Sequence, residues 1–257
     1  MNKVLLSFDI EEFDLPREHG EEISLERGVK VSSWGLVKIL DLLKDNSVKA
    51  TFFCTGNFAK GAPELIKRIV KEGHEVACHG VDHFEPKPSD AFEGKKILEK
   101  IVPVKITGYR QPRMQKINYE DLKKWGYMYD TSVNPAFIPG RYNHFNVPRK
   151  PHKKEGLLEI PTSVATPMRV PLFWLALHLF PKRVYVRMAK MALKRDGYFS
   201  TYFHPWEFAD LSKEKSVPVY IKKNSGDKLV KRLDYLIKEL KKKNVFETYD
   251  EFAKRIK

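Results

Sequence analysis

Short apolar runs that end in carboxylates, imidazoles or arginine alternate along this chain with longer segments of helical periodicity, and no other feature constrains the fold as strongly. Lys3-Val4-Leu5-Leu6-Ser7-Phe8-Asp9 is too short for a helix and reads as a buried strand emptying into polar residues. Ser33 to Lys44 carries Leu36, Val37, Leu40 and Leu43 at helical spacing. Lys49 to Thr55 is a second strand, and Gly61-Ala62-Pro63 opens a helix with Leu65, Ile66, Ile69 and Val70 on one face, closed by Gly73. A third strand runs from His74 to Cys78. Weaker repeats follow: a helix near Lys95 to Ile101, a strand at Lys105 to Tyr109, a helix at Tyr119 to Trp125 and a strand at Leu157 to Ile160. The remainder supplies a helix near Val184 to Lys194, a strand from Tyr198 to Phe203, a helix carrying Leu229, Leu233, Leu236 and Leu240, and a final strand and helix from Val245. Such alternation builds a parallel sheet, and at least six strands favour an α/β fold with a closed or distorted barrel over an open sheet. No low-complexity linker interrupts the pattern, so residues 1–257 are expected to form a single domain.

With 257 residues, 42% of them hydrophobic, the chain can bury a sizeable core, which excludes disorder throughout. No apolar run reaches the roughly 18 to 20 residues of a membrane-spanning helix. The longest, Val170 to Phe180, is flanked by Arg169, Lys182, Arg183 and Arg187. It reads either as a buried helix or as a surface, over residues 170–187, that touches a membrane peripherally. Cys54 and Cys78 are too few for a disulfide scaffold and read as small core residues; no apolar signal core precedes the first strand, so a cytoplasmic location is expected. Lys+Arg minus Asp+Glu is 47 − 33 = +14. Residues 1–30 hold four basic and eight acidic side chains, whereas 141–195 hold twelve basic against only Glu155 and Glu159. The basic stretch is a solvated face or the seat of an anionic partner. No zinc finger, aromatic ribonucleoprotein motif or basic reader helix is present, so no nucleic-acid partner is expected.

The polar strand ends carry the chemistry. Asp9 and Glu11 lie two apart on an extended chain and share a face, where two carboxylates repel unless a cation or an arginine sits between them. His79-Gly80-Val81-Asp82-His83 places two imidazoles four apart after the third strand, a spacing compatible with a divalent metal. Two His and one carboxylate with open positions can hold a hydrolytic metal that activates water. Arg110 follows another strand, where it would hold a carboxylate ionised and oriented. His204 leaves the strand ending at Phe203 and is a candidate acid or base near neutral pH. Cys78 is an improbable further ligand, because neighbouring strand positions face opposite ways.

The series Ser7-Phe8-Asp9-Ile10-Glu11, Ala50-Thr51-Phe52-Phe53-Cys54-Thr55-Gly56, His79-x-x-x-His83, Arg110-x-Pro112 and Phe203-His204-Pro205 resembles the NodB-like polysaccharide deacetylases, carbohydrate esterase family 4, from about residue 3 to residue 207. The likeness is greatest to a subgroup with Asp-x-Glu in its first motif, Tyr129-Asp130-Thr131-Ser132, Leu158-Glu159-Ile160-Pro161, and a final His204-Pro205-Trp206-Glu207. The resemblance implies a distorted (β/α)7 TIM-like barrel holding a divalent cation, commonly zinc, with cobalt or nickel as alternatives. Carried over by position, Glu11, His79 and His83 would be the metal ligands, Asp9 the general base, Arg110 its orienting partner and His204 the general acid. The implied reaction removes acetyl groups from an N-acetylated sugar, whether a polysaccharide, an oligosaccharide or a lipid-linked precursor. Two departures stand out. Ile10 replaces the second Asp of the widespread first motif, leaving Glu11, Glu12 or Asp14 as the carboxylate ligand. The family's Asp-Trp pair is not evident after Asp130, which could have another role or cap a turn. The Ile10 replacement also supports an alternative, a metal-independent hydrolase of a small linear or cyclic amide on the same barrel. A non-catalytic carbohydrate-binding relative is the remaining reading.

Overall fold

The computed structural model describes residues 1–138 and 142–256; Arg141, counted above in the basic stretch, lies outside them. Seven parallel strands form the framework: β1 (Lys3–Ile10), β2 (Thr51–Cys54), β3 (Glu75–Cys78), β4 (Gly108–Tyr109), β5 (Tyr129–Asp130), β6 (Leu157–Glu159) and β7 (Tyr198–Phe203). They pair side by side in the order β7-β1-β2-β3-β4-β5-β6. Among the described residues β6 and β7 share no ladder, so the barrel is open along one seam, as the expected distorted seven-stranded barrel requires. The seam is crossed just past β6, where Ser163 N–H donates to Ser200 O (3.0 Å) and the Tyr198 hydroxyl donates to Pro161 O (2.8 Å). His152–Lys154 adds an antiparallel edge to β6, and Val245–Phe246 adds a short parallel pairing to β1.

The helices are α1 (Leu25–Asp45), α2 (Gly56–Gly61), α3 (Pro63–Lys71), α4 (Asp90–Ile101), α5 (Tyr119–Lys124), α6 (Trp174–Leu179), α7 (Lys182–Asp196), α8 (Val219–Lys222), α9 (Asp227–Lys241) and α10 (Tyr249–Ile256). Period-two alternation divides β1 between two cores. Leu5 points into the bore with Phe53, Ala77, Tyr129, Ile160 and Tyr198. Val4, Leu6, Phe8 and Ile10 point outward beneath Leu36, Ile39, Leu40 and Leu43 of α1. Cys54 and Cys78 belong to this outer layer, where Sγ of Cys78 donates to Ala91 O (3.7 Å).

Two rim loops rest directly on glycines of the helix layer. A Cβ at Gly35 of α1 would lie 1.7 Å from Pro205 O, and one at Gly94 of α4 would lie 2.3 Å from Gly80 O. The turn after β7 and the loop after β3 are thereby seated against helix backbone. α1 begins at Leu25, earlier than its apolar spacing indicates, with the Ser24 side chain accepting from Arg27 N–H (3.2 Å) as N-cap.

Of the two readings of Val170 to Phe180, the one as a buried helix does not hold over the whole run. Val170–Pro171 pairs with Val164–Ala165, and only Trp174–Leu179 is helical. Pro171 lacks an N–H and Pro181 stops the helix, so the apolar run is broken at both ends. Leu172, Ala176 and Leu177 are buried, whereas Leu179 is exposed. No helix among the described residues is long and apolar enough to cross a membrane.

Candidate active site

The bore narrows above the aromatic layer onto Arg110, which is fully buried just beyond β4. It donates to a carboxylate oxygen of Asp9, to Ser7 Oγ (3.1 Å) and to Thr131 O (3.4 Å), and it lies 4.1 Å from the centre of the Phe53 ring. Burial works against its charge, but the adjacent Asp9 carboxylate outweighs this and raises its pKa. The strand-parity reading of β1 holds: Ser7, Asp9 and Glu11 line the inner face while Ile10 enters the core.

Glu11, His79 and His83 converge at the mouth, with one potential ligand atom from each lying within 4.8 Å of the others. A backbone carbonyl can only accept, so the 2.7 Å contact of His79 Nδ1 with Arg110 O places the proton on Nδ1. The 2.7 Å contact of His83 Nδ1 with the Asp14 carboxylate does the same for His83. Both Nε2 atoms therefore face Glu11 Oε2, at 3.7 Å for His79 and 3.0 Å for His83. Glu11 Oε1 accepts from Trp206 Nε1–H (3.0 Å), whereas Oε2 is buried without a hydrogen-bond partner. Tetrahedral zinc with bonds near 2.0 to 2.1 Å spaces its ligand atoms about 3.3 Å apart, a value the two distances bracket. Glu11 Oε2, with no partner outside the two imidazoles, and the two Nε2 atoms turned toward it fit a divalent cation that would take the place of the proton on His83 Nε2, and three protein ligands leave a fourth position for water or substrate. Burial would raise the pKa of Glu11, but His83 and His204 hold it well below the usual carboxylate range. Burial would likewise lower His83, and Glu11 and Asp14 instead push it well above the ordinary imidazole value.

The other two carboxylates considered as ligands are buttresses. Asp14 fixes the His83 ring. Glu12 accepts from Thr55 Oγ1–H (2.8 Å) and from the His83 backbone N–H (3.3 Å), shaping the loop, and burial pushes its carboxyl up. Thr55 also caps α2 by accepting from Phe58 N–H (3.2 Å).

His204 lies on the same rim, stacked on Trp206 with ring centres 5.1 Å apart. Its Nδ1–H donates to Glu207 Oε1 (2.9 Å), and Glu207 Oε2 accepts from His178 Nε2–H (2.8 Å). Burial disfavours the imidazolium of His204, but Glu11, Glu207 and Asp9 outweigh it and raise its pKa. The sequence marks Glu207 only as the last residue of the His204-Pro205-Trp206-Glu207 motif, without a role, and it does not single out His178. Asp130 caps a turn, its carboxylate accepting from Ser132 N–H (2.8 Å) and Ser132 Oγ–H (2.7 Å). It faces Glu159 across the β5–β6 register, and burial raises the pKa of both.

Residues 31–129 match the family model of the polysaccharide deacetylases. Over that segment, less than half of its length, the chain is similar to the polysaccharide deacetylases. It is 36% identical over 117 residues to the peptidoglycan-N-acetylmuramic acid deacetylase of Bacillus subtilis, an alignment covering 42% of this chain and 44% of that protein. The match thus spans less than half of that relative's length. Among solved structures, an allantoinase superposes with a TM-score of 0.65 at 17% identity, covering 98% of this chain and 89% of the other. A pseudoenzyme of carbohydrate esterase family 4 from Bacillus anthracis superposes with a TM-score of 0.55 at 14% identity, covering 98% of this chain and 66% of the other. At such identities the likeness is one of fold, and the chemistry has to be argued from the residues at the rim.

Proposed function

We propose that this chain is a member of the polysaccharide deacetylase family and a divalent-metal-dependent hydrolase that removes the N-acetyl group of an acetylated saccharide. The observation that carries the reading is the buried, unpartnered Glu11 Oε2 facing the Nε2 atoms of His79 and His83. Glu11, His79 and His83 would hold the ion, with zinc favoured by the two imidazoles and one carboxylate. When bound, it supplies Lewis-acid polarisation of the amide carbonyl and acidification of water.

The chain's own groups handle the protons. Arg110 holds Asp9 against the wall of the bore, leaving its carboxylate to accept a proton from the attacking water. The water oxygen bonds to the acetyl carbon and the carbon–nitrogen bond breaks. An amine cannot leave as an anion, so His204, whose pKa the surrounding carboxylates raise against its burial, donates the proton that the departing nitrogen needs. The products are acetate and a free amino sugar.

The metal-independent alternative rested on Ile10. Its side chain lies in the outer core, and Glu11 presents the carboxylate one position on, which supports the metal reading over the alternative. We also propose that residues 170–187 meet an anionic membrane carrying the substrate, since Leu179 and Val184 are exposed beside Lys182, Arg183 and Arg187. Acetate release from N-acetylated oligosaccharides, assayed with and without added zinc, tests the principal reading. Asp9→Asn should abolish turnover while sparing zinc uptake, and His83→Ala should lose both. Full activity in the chelator-treated chain would overturn it.

A further inference from the structure

We propose that His178 is a positioning residue, acting on His204 through Glu207. His178 lies near the end of the otherwise apolar segment 172–179 and is itself buried, where an imidazole is costly unless hydrogen-bonded. Its one hydrogen bond through the ring runs from Nε2–H to Glu207 Oε2 (2.8 Å), and Nδ1 is buried without a partner. The ring's polar task is therefore Glu207 alone.

Glu207 is fully buried and bridges two imidazoles, Oε2 on His178 and Oε1 on His204 Nδ1–H (2.9 Å). Oε1 also accepts from the His204 backbone N–H (2.5 Å), so were Oε2 released that bond alone would hold the carboxylate, which could then pivot about its terminal bond and lose its alignment with the ring Nδ1. With Oε2 anchored, Oε1 stays on Nδ1, so the neutral His204 ring keeps its proton there and turns Nε2 to the site. α6 fixes the anchor in turn. Asn224 Nδ2–H donates to His178 O (2.7 Å), and the Trp174 ring packs edge-on against both His178 (6.0 Å between centres) and His204 (5.3 Å). A polar residue inside an apolar run thus becomes the outer member of a His178–Glu207–His204 chain.

The kinetic part of this inference rests on the deacetylase reading; the structural part does not. His178→Leu keeps an apolar side chain of similar bulk but cannot donate, whereas His178→Gln offers an amide N–H near the place of Nε2–H. Nitrogen-15 imidazole spectra of the full chain, recorded at alkaline pH and with His204 identified by its loss in His204→Gln, report the tautomer directly. His204 should be the Nδ1–H form in the native chain and in His178→Gln, and a mixture in His178→Leu. The kcat for acetate release should fall about 10- to 100-fold in His178→Leu, less than the full 10²–10⁴ that a positioned acid contributes because His204 itself is retained, with little change in KM and substantial recovery in His178→Gln. An unchanged His204 spectrum in His178→Leu overturns the proposal. Absence of acetate release from the native chain would defeat the deacetylase reading alone, because the spectra still decide the role of His178.

Discussion

Replacing Gly35 with alanine should weaken this protein, although intrinsic helix propensity would favour alanine in the middle of α1 by about 1 kcal/mol. The reason is the seat of the His204 turn. The new Cβ would lie 1.7 Å from Pro205 O and 2.7 Å from its carbonyl carbon, against an ordinary contact of 3.4 Å or more. Both neighbours are backbone, so no rotamer change relieves the clash; helix or turn must give way by about 1.5 Å, an overpacking that typically costs about 1–3 kcal/mol. Pro205 is bonded to His204, so the candidate acid moves with it, and a displacement near 1 Å is worth about 10²-fold in rate. Urea unfolding measures the first effect and acetate release the second. A Gly35→Ala chain that is more stable than the native one and turns over equally fast would show that the turn does not rest on α1 as described.

Three further outcomes follow from the same geometry. Asp14→Ala removes the carboxylate that orients His83 and should weaken zinc binding about 10- to 100-fold, read by competition with a chromophoric chelator; an unchanged affinity would show that His83 needs no such partner. Arg110→Met strands Asp9 in the bore and should cost about 3–5 kcal/mol in urea unfolding, part of it recovered in the double variant with Asp9→Asn. Glu75 supplies the pH test: burial pushes its carboxyl up to about 7, from an ordinary value near 4.5. The native state thus holds the proton more tightly, and this stabilisation is complete below about pH 4.5 and lost as pH rises through 7. Relative to Glu75→Gln, the native chain should lose up to about 3 kcal/mol over that window, less whatever water screens at the half-buried carboxylate. A constant difference between the two chains across the window would refute the shift.

Much of the site was legible because Asp9, His79, Arg110 and His204 each end or follow a short apolar run, and a parallel barrel gathers such ends at one rim. Parity settled Asp9 and Glu11 on one face and turned Cys78 away from His79. It could not choose among Glu11, Glu12 and Asp14, because the chain leaves β1 at Ile10 and the period-two rule ends there. The start of α1 was hidden by Gly28, which contributes contact through the absence of a side chain and so adds nothing to an apolar pattern. The run Val170 to Phe180 misled for the converse reason: its composition is helical core, but Pro171 diverts its start into a strand pair. His178 was invisible because its meaning depends on Glu207, 29 positions away in the chain. The Asp130–Glu159 pair needed the β5–β6 register, which local spacing does not specify.

Crystals grown with zinc and measured on both sides of its absorption edge test the account where it is most exposed. One anomalous peak should stand between Glu11 Oε2, His79 Nε2 and His83 Nε2, with Asp14 and Glu12 outside its coordination. A fully occupied zinc bound anywhere else, with those three side chains still bare, would contradict the central claim.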